Sequence, residues 1–173
     1  MIIIRSASDA DIGSMARLRL SSDWSGGADE ERMRRYLAGE HHPQHARTPR
    51  VAFVAESAAE IIGFIAGHLT TRFGCEGELQ WLLVAPAYRG GPTGSELLSG
   101  LAEWFAQQAA RRVCVNVASD DARARRFYTR HGAVELSEYW MVWPDIATAE
   151  QRNDAWVNRA ELQIPAGERG NMH

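Results

Sequence analysis

The sequence predicts an α/β domain whose helices flank a mixed β-sheet, and three observations lead there. The chain has 173 residues, 45% of them apolar and 24% charged, the balance of a soluble globular protein large enough for one core. Short apolar or β-branched runs alternate along it with stretches whose apolar residues recur at helical spacing. In order these elements read βααββ and then βαβαββ, with no internal repeat and no low-complexity segment.

Ile2 to Arg5 is a β-branched run and the first strand. Ser8 or Asp9 then caps a helix carrying Ile12, Met15, Ala16 and Leu20 on one side. A second helix lies within GGADEERMRRYLAGE, with acidic residues in its first turn and Gly39 closing it. Residues 41–50, HHPQHARTPR, show no apolar period and carry two prolines, so they read as a loop. Strands follow at 51–57 and 61–69, close enough for a hairpin although Ala58-Ala59-Glu60 lacks Asn-Gly chemistry. The run 78–86 is almost continuously apolar, as a strand buried on both faces should be. Leu97, Leu98, Leu101, Trp104, Phe105 and Ala109 form the stripe of a helix over 94–110. A buried strand at 112–117 leads to Ser119-Asp120-Asp121, a cap for a helix bearing Ala124, Phe127, Tyr128 and His131 and stopped by Gly132. Strands at 134–136 and 139–143 close the domain, set at 1–144. A polar extension, 145–173, holds a helix around 147–160 and a loose end from Pro165.

Composition excludes several functions. A net charge of −3 gives no general attraction to nucleic acid or anionic membrane, and no apolar run is long enough to span a bilayer. The start, MIIIRSASDADI, turns acidic after three apolar residues, so no signal peptide is expected there. Cys75 and Cys114 show no CxxC spacing and read as reduced residues of a cytoplasmic protein. His41, His42 and His45 fall in a proline-containing loop without neighbouring cysteine or acidic ligands, so no metal site is expected.

The stretch VAPAYRGGPTGSELLSG carries the first chemical signal. It runs from a strand through Arg89-Gly90-Gly91-Pro92-Thr93-Gly94 into a helix, without the Gly-Lys-Ser/Thr of a Walker loop or a GxGxxG fingerprint. Glycines permit close backbone approach, and the helix that follows turns free N–H groups and its positive dipole end toward the turn. Such a turn suits a pyrophosphate; by itself it is also a plain strand-to-helix connector.

Its context resembles the GCN5-related N-acetyltransferase (GNAT) superfamily. That family's Val-x-Pro-x-x-Arg-Gly-x-Gly-x-Gly is met at Val84, Pro86, Arg89, Gly90 and Gly94. Its second pattern, on the next strand and helix, is met at Val115, Val117, Ala124, Phe127, Tyr128 and Gly132. The resemblance extends from residue 1 to about 143. It implies a mostly antiparallel sheet of about seven strands with a parallel pair at the middle that opens to admit acetyl-CoA. Three positions depart from it. Pro92 stands at a glycine position and removes one donor to the pyrophosphate, Asp121 stands at an asparagine position, and Ala133 replaces an aromatic residue. One lost hydrogen bond to a charged phosphate is worth about 1.5–3 kcal/mol, or roughly ten- to a hundredfold in affinity.

The resemblance also implies roles. Acetyl-CoA, the cosubstrate, would be held by Leu82, Val84, Arg89, Gly90, Gly91, Thr93, Gly94, Ser95, Asp121 and Phe127. Glu78, six residues before Val84, would take the amine proton, and partial burial would make it a better base. Tyr128 would protonate the departing thiolate. Asp23 and Trp24, with Asp29-Glu30-Glu31, lie where the family builds its acceptor pocket, and could hold a cationic amine by charge and cation–π contact. The expected activity is direct acetyl transfer to a small-molecule amine. The alternatives are a non-catalytic acyl-CoA-binding module, or acetylation of a protein N-terminus or lysine. No metal, nucleic acid or membrane is implied, and six tryptophans leave room for a homodimer surface.

Overall fold

A computed structural model describes residues 1–21, 30–40 and 42–151 of the chain. Its two longest strands, β2 (Ala46–Ser57) and β3 (Glu60–Thr70), pair antiparallel as one hairpin. The turn joining them puts Ala58 and Ala59 at φ 49° and 65°. That left-handed pair is what a two-residue hairpin turn demands, and alanine adopts it at a cost that the long strand pairing on either side offsets.

Around the hairpin lie β1 (Ile2–Ser6) on the outer side of β2, and β4 (Gly77–Val84) on the far side of β3. Beyond β4 come β5 (Val113–Asn116), β7 (Trp140–Trp143) and β6 (Val134–Ser137), giving the order β1-β2-β3-β4-β5-β7-β6. Only β4 and β5 pair in parallel. A parallel pair needs a crossover, and α3 (Thr93–Gln107) supplies it. This is the mixed sheet that the sequence predicts, with the seven strands that the resemblance implies.

Each face of the sheet has its own core. On one, α3 buries Leu97, Leu98, Leu101 and Phe105 against Ile65, Leu79, Val113 and Val115. The approach is close: a Cβ on Gly77 would stand 2.4 Å from the Phe105 ring. On the other face, α1 (Ile12–Ser21) and α2 (Glu30–Leu37) pack Ile12, Met15, Met33 and Tyr36 on Val54, Phe64, Ala66 and Trp81. A short α4 (Ala122–Arg130) follows β5, and α5 (Ala147–Gln151) lies against α3, with Ile146 and Ala149 buried in the α3-side core.

Two sequence expectations change. Residues 46–50 are strand and not loop: they pair with β3 out to Ala46↔Thr70, and the register slips between Arg47 and Arg50, around Pro49. The first helix opens with a 3-10 turn, Asp9–Asp11, capped reciprocally by Ser8 and Asp11. Of the helix expected over 147–160, only Ala147–Gln151 lies within the described residues. Among these residues no helix is long and apolar enough to cross a membrane.

Candidate active site

The parallel pairing of β4 and β5 is brief. Gly77, Glu78 and Leu79 pair with Val113, Cys114 and Val115, and there the ladder stops, although β4 continues to Val84. Toward β3, Ala66 pairs with Trp81 but Gly67 pairs with Leu79, so Gln80 is an extra residue in β4. Such a bulge bends its strand. From Gln80 onward the β5-facing edge of β4 has no strand partner, and Leu82 and Val84 are partly exposed along this gap.

The gap leads to the head of α3. After a 3-10 turn, Pro86–Tyr88, Arg89 folds back and its Nε donates to the Val84 carbonyl at 3.1 Å. Gly90 takes φ 81°, a left-handed turn with open space where a side chain would be. Pro92 is the N-cap, with helical φ/ψ of −80° and −11°, and its carbonyl receives Glu96 N–H. Proline's missing N–H is therefore taken from a position where the helix has no acceptor to offer it. The N–H groups of Gly91, Thr93, Gly94 and Ser95 find no acceptor among the described residues. The buried Thr93 hydroxyl has no partner either. A Cβ on Gly94 would lie 3.2 Å from the Phe127 ring, so this glycine lets α4 close on α3. Ser95 Oγ is 2.9 Å from His131 Nε2, and His131 Nδ1 is 2.7 Å from the Phe127 carbonyl, which clamps the same junction.

On α4, Asp121 is the N-cap, and its Oδ1 accepts from Ala124 N–H at 3.0 Å. Its charge thus faces a helix N-terminus, which satisfies it locally. Tyr128 is 7% exposed between Phe127 and Trp143, at ring separations of 5.5 Å to each. Its hydroxyl makes no hydrogen bond among the described residues. Burial, with Asp121 nearby, pushes this phenol above its ordinary range and keeps it protonated at neutral pH.

Glu78 lies on the opposite face, toward α1 and α2, and is only 4% exposed. Its Oε2 is 2.9 Å from His68 Nε2, and His68 Nδ1 is 2.7 Å from the Tyr36 hydroxyl. Arg72 Nε stands 3.4 Å from Oε1, while the Arg72 guanidinium stacks 4.6 Å over Trp140. Glu78 is thus hydrogen-bonded through Oε2 and faces a cation at Oε1, and is not a solvent-facing edge residue. His68, Tyr36 and Arg72 carry no sequence motif. The available signal was one histidine inside the apolar run IIGFIAGHL, a buried polar group that has to be satisfied. Cys114 sits beside Glu78 on the neighbouring strand, with Cys75 in the same cluster; burial, then Cys75 and Glu78, push its thiol up.

Other expected residues fall elsewhere. Asp23, Trp24, Asp29 and His41 lie outside the described residues. Glu30 and Glu31 both face Arg34 at 3.4 Å on the exposed side of α2.

The family model of the acetyltransferase (GNAT) family matches residues 16–133, more than half of the chain. No curated protein matches. Among solved structures, Ard1 from Thermoplasma volcanium superposes with a TM-score of 0.69 at 22% identity, over 82% of this chain and 95% of that one. The PaiA N-acetyltransferase of Thermoplasma acidophilum, solved in complex with coenzyme A, gives 0.63 at 17% over 82% and 98%. The ribosomal-protein-S18-alanine N-acetyltransferase of Escherichia coli gives 0.65 at 16% over 84% and 94%. At these identities the likeness is one of fold.

Proposed function

Because the chain belongs to the acetyltransferase (GNAT) family, we propose that it moves an acetyl group from acetyl-CoA directly to the amine of a small molecule. The observation that carries this reading is the gap between β4 and β5, open from Gln80 and ending at the free N–H groups of α3. Those donors and the helix dipole would hold the pyrophosphate, with Leu82 and Val84 along the arm of the cosubstrate. Four donors survive Pro92: Gly91, Thr93, Gly94 and Ser95.

In the transfer, the amine nitrogen bonds to the acetyl carbon and the carbon–sulfur bond breaks. Glu78 takes the proton that the amine sheds, directly or through water, and Tyr128 gives its proton to the departing thiolate. Neither cysteine suits a covalent route, since both are buried and the Cys114 thiol resists ionisation. The deep placement of Glu78 favours a slim acceptor, a primary amine on a narrow stem.

Purified protein incubated with acetyl-CoA and a panel of primary amines tests the reading, with short peptides as a second arm. The expected result is CoA release with a product heavier by one acetyl group in the small-amine arm. Acetylation confined to the peptides would replace the acceptor class. Tight acetyl-CoA binding without transfer to anything would leave a binding module.

A further inference from the structure

Three polar side chains form a closed chain inside the face covered by α1 and α2. The Tyr36 hydroxyl meets His68 Nδ1 at 2.7 Å, and His68 Nε2 meets Glu78 Oε2 at 2.9 Å. Tyr36 and His68 are both 0% exposed, so water does not serve them. They come from α2 and β3, and pairing of His68 with Glu78 across the β3–β4 ladder puts the imidazole against the carboxylate.

Proton counting fixes the state of the chain. Tyr36 has one hydroxyl proton, and its only acceptor among the described residues is Nδ1. With that proton on Nδ1's lone pair, the ring proton is on Nε2 and points at Oε2, so every donor meets an acceptor. The other neutral tautomer sets two acceptors, Nε2 and Oε2, against each other. An imidazolium would satisfy Oε2 but turn the tyrosine proton away from its partner. Burial also pushes the Tyr36 phenol up, so it stays a donor. Among the described residues, the charged groups against these side chains are Arg50, 4.8 Å over the Tyr36 ring, and Arg72, 3.4 Å from Oε1; Cys114 flanks Glu78 from β5.

We infer that His68 is a positioning residue for Glu78: Tyr36 locks it in the neutral tautomer, its Nε2–H pins Oε2, and Oε1 is left as the oxygen that takes the acceptor's proton. The inference rests on Glu78 as the base. It adds a Tyr–His–Glu arrangement in which the histidine orients the carboxylate, with its own proton staying where it is. Oε1 faces Arg72 Nε at 3.4 Å but accepts no hydrogen bond among the described residues, which leaves it a lone pair for that task.

The test compares full-length His68→Phe, His68→Gln, Tyr36→Phe and Glu78→Gln with wild type. The acceptor probe is a mixture of ethanolamine, putrescine, glucosamine and alaninamide; melting temperature and acetyl-CoA affinity monitor folding. Nitrogen-15 spectra of histidine-labelled protein at pH 7 should show His68 as the Nε2–H tautomer, a measurement that needs no acceptor. His68→Phe should lose up to about 100-fold in kcat at unchanged KM for acetyl-CoA, with a displaced pH–rate profile. His68→Gln, whose amide N–H can reach Oε2, should keep most of the rate and the original profile. Tyr36→Phe should leave Nδ1 without its donor, loosen the ring and lose part of kcat; it carries the comparison if His68→Phe fails to fold. An Nδ1–H or doubly protonated His68 overturns the inference, as does a His68→Phe variant with wild-type kcat and profile. Glu78→Gln separates the two levels. If it collapses while His68→Phe does not, positioning alone fails; if it keeps wild-type kcat, the base assignment fails and takes positioning with it.

Discussion

Replacing Tyr128 by phenylalanine removes one oxygen and leaves the ring between Phe127 and Trp143. The hydroxyl makes no hydrogen bond among the described residues, so no partner is orphaned. Stability should therefore change by no more than about 0.5 kcal/mol, the range of substitutions that break no defined interaction. Catalysis should respond differently. A positioned general acid is worth roughly 10²–10⁴ in rate, and a thiolate is a fair leaving group, which places this one near 10². That is about 2.7 kcal/mol of barrier. The assay is CoA release at saturating acetyl-CoA, read with a thiol reagent across pH, beside a thermal melt. Because burial pushes the phenol above its ordinary value near 10, Tyr128 stays protonated through neutral and mildly alkaline pH. It should thus add no alkaline limb below about pH 10. A variant with kcat within twofold of wild type and an unchanged melt would refute the acid role.

Other consequences concern the cradle and the fold. Gly94→Ala places a methyl 3.2 Å from the Phe127 ring, which must shift; acetyl-CoA affinity measured by calorimetry should fall about five- to tenfold, roughly 1 kcal/mol. At the hairpin turn, Ala58→Asn with Ala59→Gly replaces two left-handed alanines by residues that accept that region. The melting temperature should rise by a few degrees, as expected for about 1 kcal/mol in a domain of this size. Arg5, and then the Ser8 backbone and hydroxyl, hold the Asp11 carboxyl at about 2, below its usual 3.8. A group depressed in the folded state stabilises above its unfolded value, and that contribution is lost as pH falls through the folded one. The stability difference between wild type and Asp11→Asn should be about 1 kcal/mol or less, because Arg5 is partly solvated, and should shrink steadily from pH 4 downward and vanish only below pH 2.

Much of the fold was legible because each buried element writes its own period. The stripe Leu97, Leu98, Leu101, Phe105 faces one core, and the apolar run of β4 meets helices on both sides. The start of β2 was not legible, since ARTPR has no apolar pattern; pairing with Leu69 and Thr70 makes it strand. At the site, the Arg-Gly-Gly turn and the Phe127-Tyr128 pair announce themselves by local sequence. The partners of Glu78 do not. His68 is 10 residues from it and Tyr36 is 32 from His68, and only sheet register and the seating of α2 bring them together. The capping role of Asp121 is local by contrast: its Oδ1 accepts from Ala124 N–H three residues on.

Whether the open edge of β4 and the head of α3 form the seat of an acyl-CoA is the point on which the rest depends. Titration calorimetry with acetyl-CoA, CoA and ATP measures it directly. Binding of acetyl-CoA and CoA with micromolar affinity, and none of ATP, is what the free N–H groups and the strand gap predict. Failure of acetyl-CoA and CoA to bind at high micromolar concentration would contradict the account, and would mean that Pro92 has closed the cradle.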